Sequence, residues 1–284
     1  MTMAERLFLR LEDDPLYAPE TSIPAGTLHE FAVPPALQGQ VAHVMAYAED
    51  LPAGVEVSER VLPDGALRLI FDLQDVPQAA RVAGPSTSPV LLKMRGCVQG
   101  WSVTLRPGAA LALFGVPAHE LAERVEAWED LVAAPHRSLR ARLQEAPGDA
   151  ARARILTQAL QAMLQETDGE NQRRARQAAA LFRRAAGERS VRAVAQTLGV
   201  GERRLQQIFQ SQVGLSPRAF SRLARMHECL RLLRRPLAVP WAQVAVEGGF
   251  YDQSHLVNEF KALCGLTPEQ FLQRSIAGSS KTAG

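Results

Sequence analysis

The fold of this chain is decided by a stretch that occurs twice between Ser190 and Phe271. The first copy contains Ala195, Gly199-Val200, Leu205, Phe209, Gly214-Leu215-Ser216-Pro217 and Phe220. The second copy contains Ala245, Gly249-Phe250, Leu256, Phe260, Gly265-Leu266-Thr267-Pro268 and Phe271. The offset is 50 residues as far as Gly249-Phe250 and 51 residues afterwards, so the second copy has one extra residue between Phe250 and Leu256. A repeat of this kind indicates two copies of one supersecondary unit.

Each copy has the pattern of a helix-turn-helix, two short helices joined by a tight turn with a glycine, which is Gly199 in the first copy. After it, Leu205, Ile208 and Phe209 recur at the i, i+3, i+4 spacing that buries one side of a helix. The opposite side carries long polar side chains, which are Arg203, Gln206, Gln207 and Gln210. Arginine and glutamine form paired hydrogen bonds with guanine and adenine edges, so this helix is predicted to contact bases in the major groove. An ordinary helical hairpin with a solvated polar face is the alternative.

One long helix is predicted between the two copies, from Pro217 to Arg235. Ser216 is the expected N-cap, and Pro236 is the expected stop. Such a helix spans roughly 28 Å, near the ~34 Å between successive major-groove segments on one side of a duplex. The spacing therefore allows the two recognition helices to enter adjacent grooves.

At this point the sequence resembles the DNA-binding domain of AraC/XylS-type transcriptional regulators, over about Asn171 to Arg274. The similarity rests on the motif Gly-Leu-[Ser/Thr]-Pro, which follows each unit. It also rests on the start of each recognition helix, which reads Gly199-Val200-Gly201-Glu202-Arg203-Arg204-Leu205 in the first unit and Gly249-Phe250-Tyr251-Asp252-Gln253-Ser254-His255-Leu256 in the second. It implies base-reading positions at Arg203, Gln206 and Gln207 in the first unit, and at Gln253, Ser254 and Asn258 in the second. With Gln210 and His255, these residues are the expected DNA-binding set.

The second unit departs from the family pattern at three positions. Gly248 stands where an apolar residue is usual, Glu259 stands where an aliphatic residue is often buried, and Asn258 stands at an often basic position. Glycine costs ~1 kcal/mol inside a helix, and a carboxylate on a buried face is expected to turn out to water. The second unit is therefore expected to hold DNA more weakly than the first. The capping box of Thr267 and Gln270 nonetheless predicts that its closing helix forms.

Charge divides the chain into two unlike halves. Residues 1–169 carry 14 Lys and Arg against 22 Asp and Glu, or −8, whereas residues 170–275 carry 17 against 8, or +9. A basic, arginine-rich segment with helix-turn-helix units is typical of a DNA-binding protein. The partner that this predicts is double-stranded promoter DNA.

Size and composition exclude several other classes of protein. The 284 residues contain no apolar run of 18 or more, and the N-terminal stretch, with Glu5 and Glu12, is unlike a secretory signal. Cys97, Cys229 and Cys264 are widely spaced, which fits a reducing compartment and neither a disulfide framework nor a zinc site. A cytoplasmic protein with no membrane contact is predicted.

The first half is predicted to be mostly β, with short apolar runs between turn residues. The expected strands are Gly26–Val33, Ala66–Leu73, Val90–Met94 and Trp101–Leu105. Two short helices are expected next, the first from Arg106 and ended by Gly115, the second from Pro117 to Ala127. This half is similar to the sensory domains that precede AraC-type DNA-binding units. The resemblance implies a cupin-like or jelly-roll domain that binds a small effector or mediates dimerisation, so the predicted fold class is α+β.

Catalytic and metal-binding signatures are missing from the sequence. His29, His43, His119 and His136 are isolated, so each is interpreted as structural or as a surface residue, and no metal or cofactor is expected. Phosphate-loop, dinucleotide-binding and nucleophile-elbow motifs do not occur. Cys97 is interpreted as a small core residue. The chain is therefore not expected to be an enzyme.

These observations predict a sensory and dimerisation domain at 1–145, a helical connector at 146–170, a DNA-binding domain at 171–275 and a flexible tail at 276–284. The helix Ala150–Gln165 is expected to serve as a connector or a dimer contact, and the break after it is expected at Thr167-Asp168-Gly169. A fragment from Gln172 onwards is expected to fold alone. The predicted function is a regulator that responds to a small effector, with a homodimer as an option and RNA polymerase as a partner if it activates. The alternative is a barrel-type binding protein or enzyme with an appended helical module for partner binding.

Overall fold

The computed structural model describes residues 5–11, 23–165, 169–233 and 241–279, with the side chains of 241–242 and 274–279 left out. The architecture is α+β, as predicted: a β-rich first half is followed by a helical second half. Three sequence-based predictions lie outside the described residues, namely the break at Thr167-Asp168, the helix stop at Pro236 and the end of the tail, 280–284. Residues 276–279 of the predicted tail are helical.

Two sheets make up the first half. Their strands are β1 (Arg6–Phe8), β2 (Leu28–Phe31), β3 (Val41–Asp50), β4 (Glu56–Val61), β5 (Leu67–Asp72), β6 (Ala80–Ala83), β7 (Val90–Arg95), β8 (Cys97–Leu105) and β9 (Val125–Ala127). The large sheet is antiparallel with the order β2-β3-β8-β5-β6-β9, and the small sheet has the order β1-β4-β7. Within the small sheet, β1 pairs with β4 in parallel and β4 pairs with β7 in antiparallel.

Strand β8 has the alternating apolar residues that the sequence predicted. Trp101, Val103 and Leu105 of β8 are all buried on one face, as the period-2 pattern predicted. Strand β3 was not predicted, because consecutive residues of this central strand, from Val44 to Ala46, are buried and no alternation appears. Cys97, expected in the core, is instead exposed at the first residue of β8, where Gln74 donates a hydrogen bond to its sulfur. The strand begins outside the packed part of the sheet.

The segment after β8 corrects one predicted helix. The first expected helix is present as α1 (Ala109–Phe114) and ends at Gly115, which has a φ of +71°. The second is a 3-10 turn at Ala118–Glu120 followed by β9. Glu123 adopts a φ of +57°, which ends any helix, and the following residues pair with the edge of β6. Sheet pairing therefore replaces the expected helix.

Short helices complete the first half. They are α2 (Trp128–Leu131), α3 (Ala134–Arg137), α4 (Leu139–Glu145) and α5 (Asp149–Met163). Helix α5 corresponds to the predicted connector helix. Its apolar residues Leu156, Ala159 and Leu160 are buried in the same core as Trp128 and the large sheet. The apolar stripe of α5 is thus covered by the first half of its own chain.

The second half consists of helices. They are α6 (Gly169–Arg184), α7 (Val191–Thr197), α8 (Glu202–Gln212), α9 (Pro217–Leu233), α10 (Trp241–Glu247), α11 (Gln253–Cys264) and α12 (Pro268–Ser279). Ser216 accepts a hydrogen bond from the amide of Ala219 and caps α9, as predicted. No described helix is long and apolar enough to cross a membrane.

The core of the helical half contains residues from the start of the chain. The members that come from the first half are Leu7, Leu9, Leu11 and Leu62. Leu7 is fully buried there, beside helices that the sequence places more than 160 residues later. The helices therefore do not supply all of their own core, and the independent folding of a fragment from Gln172 stays a prediction.

Hydrogen bonds also join the halves. The amide of Gly108 donates to the carbonyl of Gln212 at the end of α8, over 2.7 Å. His227 of α9 donates from Nε2 to the carbonyl of Pro63, over 2.9 Å. Burial lowers the pKa of His227 to about 4, so its ring is neutral near pH 7. Arg60 of β4 donates to the carbonyl of Cys264 at the end of α11. Both recognition helices are thus tied to the first half at their C-terminal ends.

Candidate nucleic-acid interface

The first helix-turn-helix unit is formed by α7 and α8. Ser190 caps α7 by accepting a hydrogen bond from the amide of Ala193, over 3.1 Å. Gly199 in the turn has a φ of +65°, a conformation that glycine adopts without strain. The apolar residues Leu205 and Phe209 are fully buried, as the spacing predicted. This packing fixes which side of α8 faces solvent.

The four residues predicted to contact bases in this unit lie together on that side. Arg203, Gln206, Gln207 and Gln210 are all exposed along α8. Arg204 is exposed too, but it donates a hydrogen bond to Asn171 of α6. The exposed face therefore offers one guanidinium and three amides to a partner, on a rigid helix.

Aromatic rings hold α8 in place from behind. Phe182 of α6 meets Phe209 of α8 edge to face, with ring centroids 5.7 Å apart. Phe220 of α9 meets Phe209 in the same manner at 5.6 Å. Such aromatic pairs stabilise by about 0.5–1.5 kcal/mol beyond the area they bury. The first recognition helix is thus fixed against both of its helical neighbours.

The second unit repeats this design with α10 and α11. Gly249 in the turn has a φ of +69°, close to that of its counterpart in the first unit. Asp252 caps α11 by accepting a hydrogen bond from the amide of His255, over 2.7 Å. After α11, Thr267 and Gln270 each accept a hydrogen bond from the other's amide, which confirms the predicted capping box.

The predicted DNA-binding residues of the second unit divide into two groups. Gln253, Ser254 and Asn258 are exposed on α11. His255 is half-buried: its Nδ1 accepts a hydrogen bond from the amide of Tyr251, and its ring packs edge to face on Phe250. The imidazole of His255 therefore holds the turn together from inside the unit.

Two expected weaknesses of the second unit are corrected by the structure. Gly248 follows the last residue of α10 and is buried, and a Cβ there would lie 2.6 Å from the sulfur of Cys229. Close packing, not a loosened helix, requires glycine at this position. Glu259 does not turn out to water but forms a bidentate ion pair with Arg222 of α9, at 2.7 and 3.0 Å. The pair joins the second recognition helix to the long helix that links both units.

Comparison with known proteins agrees with this geometry. Residues 194–274 match a helix-turn-helix domain family, and residues 29–126 match a domain of unknown function, DUF6597. The second half carries an AraC-type helix-turn-helix domain. The family match to this AraC-type domain includes both units and the long helix α9 between them. It supports a DNA-binding regulator.

Solved structures with similarity to the chain include regulators from two bacteria. The C-terminal domain of AraT, a response regulator from Geobacillus stearothermophilus, is 22% identical, with 35% of this chain and 84% of that chain covered and a TM-score of 0.33. An apo variant of ToxT from Vibrio cholerae is 11% identical, with 81% and 97% covered and a TM-score of 0.42. ToxT with an unsaturated fatty acid bound is 10% identical, with 81% and 94% covered and a TM-score of 0.42. No curated protein matches the chain.

Positive charge surrounds the recognition helices of the AraC-type domain. Among the described side chains of the helical half, the exposed arginines are Arg173, Arg184, Arg189, Arg192, Arg203, Arg204, Arg218 and Arg222. Helix α9, with 17 residues, is about 25 Å long. A surface of this charge attracts the phosphates of a duplex whatever its sequence, while the polar faces of α8 and α11 can distinguish bases.

One exposed residue of the AraC-type domain was missed from the sequence. Tyr251 is 91% exposed and stands between the turn glycine Gly249 and the cap Asp252, at the start of the second recognition helix. An aromatic ring with a hydroxyl at this place can reach a phosphate or a base edge. Its position in the sequence could have identified it, because an aromatic side chain in this turn has no core in which to be buried.

A second candidate site lies outside the AraC-type domain, in a cavity of about 610 Å³ between the large and the small sheet. Its size is in the range of small-molecule sites. Its wall includes apolar residues from both sheets, among them Phe8, Met45, Val61 and Ile70. We call it the intersheet cavity.

The histidines lie apart from this cavity and from each other. His43 is buried, with its Nδ1 2.6 Å from a carboxylate oxygen of Glu30, and burial lowers the pKa of His43. His29 and His119 are exposed. In the described ranges, no three His, Cys, Asp or Glu side chains are grouped as metal ligands would be.

Proposed function

We propose that the protein is a sequence-specific transcriptional regulator that reads promoter DNA through α8 and α11 and responds to a small effector. The observation that carries the proposal is the pair of exposed polar faces on two capped recognition helices within an arginine-rich domain. The residues proposed to contact bases are Arg203, Gln206, Gln207, Gln210, Gln253, Ser254 and Asn258. His255 is proposed to act by holding the turn.

We propose the intersheet cavity as the effector site. Successive residues of the small sheet point to opposite sides: Phe8, Glu59 and Val61 line the cavity, whereas Leu7 belongs to the helical core and Arg60 contacts the end of α11. A ligand that displaces the small sheet would therefore displace a surface on which the AraC-type domain rests. This gives a direct mechanical route from effector to DNA binding, by a shift of population between two arrangements.

The proposed division of labour follows the sequence-based boundaries with one refinement. Residues 1–145 form the sensory part and 171–275 form the DNA-binding part, while the helix α5 within 146–170 packs on the sensory part. We propose RNA polymerase as a further partner if the protein activates transcription, and a homodimer as its assembly.

The test is selection of duplexes from a random library by the full-length protein, followed by titration of the enriched sequence at several salt concentrations. We expect enrichment of one motif, and an affinity that falls steeply with salt because bound phosphates release counterions. Arg203→Ala should cost about 1–3 kcal/mol against the preferred base at one position of the motif. Arg137→Ala, which removes an exposed arginine of the first half, is the matched control. It should change neither the affinity for the selected duplex nor the preference for a base.

Two results would count against the proposal. A protein that enriches no sequence and has no affinity for DNA at low salt is not a regulator of this kind. An Arg203→Ala protein that is weakened equally on all sequences would make Arg203 a phosphate contact.

A further inference from the structure

One carboxylate in the intersheet cavity forms no ion pair with a described residue. Glu59 of β4 lines the cavity and is only 8% exposed. Among the described residues, none forms a hydrogen bond or an ion pair with its carboxylate, although Arg6 is near enough to lower the pKa of Glu59. An unpaired buried carboxylate is strongly destabilising unless a partner or a proton neutralises it.

Three arginines on or beside the cavity wall pair with carboxylates of that wall. Arg6 forms a bidentate ion pair with Glu49, at 2.6 and 2.7 Å. Arg81 pairs with Asp72, which also accepts a hydrogen bond from Tyr47, and Arg68 pairs with Asp64. Each of these arginines thus has a carboxylate partner, although the buried Nε of Arg68 makes no hydrogen bond. Among the described carboxylates that line the cavity, Glu59 is the one without an ion pair.

The exposed edge of the cavity also has basic side chains. Lys93 and Arg95 of β7 both lie beside Glu56, and both are largely exposed to solvent. Water screens them, so their effect on a buried ligand is small compared with that of Glu59.

Burial raises the pKa of Glu59 to about 7, and the nearby cation of Arg6 opposes the shift while Glu49 adds to it. The groups that face Glu59 from β1 and β3 are thus Arg6, Glu49 and, more distantly, Tyr47. Near neutral pH the carboxyl is partly protonated, and a bound cation would convert it fully to the carboxylate.

We propose that the intersheet cavity binds a lipophilic cation, an apolar molecule with one protonated amine that pairs with Glu59. The apolar wall accommodates the body of such a molecule, and the carboxylate of Glu59 selects the charge of its head. A carboxylate ligand would instead meet like charge in a region of low dielectric constant. The inference deepens the proposed function, because this ligand would be the effector, but its binding is measured without DNA.

The experiment compares three probes of equal chain length, n-decylamine, n-decanol and sodium decanoate, by calorimetric titration of the full-length protein at pH 8. We expect the amine to bind at least about tenfold more tightly than the alcohol, which corresponds to one charge-assisted pair. The decanoate should bind most weakly. Lowering the pH from 8 to 6 should weaken amine binding, because Glu59 becomes protonated, and should leave alcohol binding unchanged.

Variants assign the effect to one side chain. Glu59→Gln should bring the amine to the affinity of the alcohol, while Glu56→Gln, on the same strand at the exposed edge, should keep the preference. Ile70→Trp should weaken the amine and the alcohol together, because it fills the cavity. Equal affinity for amine and alcohol, tighter binding of decanoate, or a preference that survives Glu59→Gln would overturn the proposal, as would the failure of all three probes to bind.

Thermal unfolding tests the burial of the Glu59 carboxylate without any of the probes. The pKa of Glu59 lies near 4.5 in an unfolded chain and near 7 in the folded protein, so the folded state holds more protons between these values. The wild type therefore loses stability as pH rises from about 4.5 to 7. Glu59→Gln removes this loss and should raise Tm at pH 8 but not at pH 4; an unchanged Tm at pH 8 would mean that the carboxylate already has a partner. If neither the wild type nor the variants bound DNA, this would count against the proposed function and not against this site.

Discussion

The two helix-turn-helix units share one backbone design but are held in different ways. The first recognition helix, α8, rests on the aromatic rings of Phe182 and Phe220 and ends at the amide of Gly108. The second, α11, is tied to α9 by the ion pair between Arg222 and Glu259 and ends against the small sheet. The comparison shows that a repeat can keep its turn geometry while each copy adapts its rear surface to a different neighbour.

Two of the three departures in the second unit do not weaken its fold. Gly248 and Glu259 were expected to weaken the second unit, yet each has a packing partner that explains it. What still favours the first unit is the chemistry of its exposed face, with Arg203 against Asn258. The weaker DNA binding of the second unit therefore stays a prediction, and it now rests on the contacts with DNA and not on the folding of the unit.

The largest expected effect is the loss of a whole recognition face. Alanine at Arg203, Gln206 and Gln207 together should cost about 3 kcal/mol or more in binding to the selected duplex, since each paired contact contributes about 1–3 kcal/mol. Alanine at Gln253, Ser254 and Asn258 should cost less. Titration of the duplex with both variants at one salt concentration measures the two losses. An equal or greater loss from the second set would contradict the prediction that the first unit dominates.

The next effect concerns the support of the second unit by the first half of the chain. Leu7→Ala removes a fully buried side chain that packs in the helical core beside α12, and should cost about 2–5 kcal/mol of unfolding free energy. Hydrogen exchange should show the amides of α11 and α12 losing protection before those of α7 and α8. Leu28→Ala, in a cluster of the β half, is the control and should spare both units. Uniform loss over the two units would contradict the difference in support.

A smaller effect is expected at the glycine before the second turn. Gly248→Ala should destabilise the protein by about 1–3 kcal/mol, because the new methyl group would overlap the sulfur of Cys229. Gly201→Ala in the first unit meets no atom within 4 Å, at a φ of −74°, so its cost should be limited to the poorer helix cap that alanine provides, about 0.5–1 kcal/mol. Urea unfolding of both variants measures the contrast. Similar values would show that the second unit can relax around a side chain.

The smallest effect is expected from the ion pair that links α9 and α11. Side chains as exposed as Arg222 and Glu259, at 46% and 22%, give coupling of about 0.2–1 kcal/mol. A double-mutant cycle with alanine should find this coupling and should find less of it in 1 M salt. The pair of Arg231 and Glu228 within α9 is the matched control for a pair that joins no two helices. No coupling at low salt would leave α11 positioned by its apolar face alone.

The sequence predicted local features well and long-range contacts poorly. Caps and turns such as Ser216, Thr267 and Gly199 follow from neighbouring residues, so the helices of both units and their exposed faces could be predicted. Strands β3 and β6 were not predicted, since their burial depends on sheet partners distant in sequence. The partner of Glu259 lies 37 residues away, and no spacing rule points to it. The intersheet cavity likewise arises from the pairing of strands and has no sequence signature.

The parallel pairing of β1 with β4 has a consequence for the order of folding. During synthesis, Leu7 and Leu9 leave the ribosome long before α6 to α12, which complete the core around them. Until then these leucines have no permanent cover, and contacts of such sequence separation form slowly. The nascent chain must keep its first strand available for its last helices. The core of the helical half is therefore completed only when residues from opposite ends of the sequence meet.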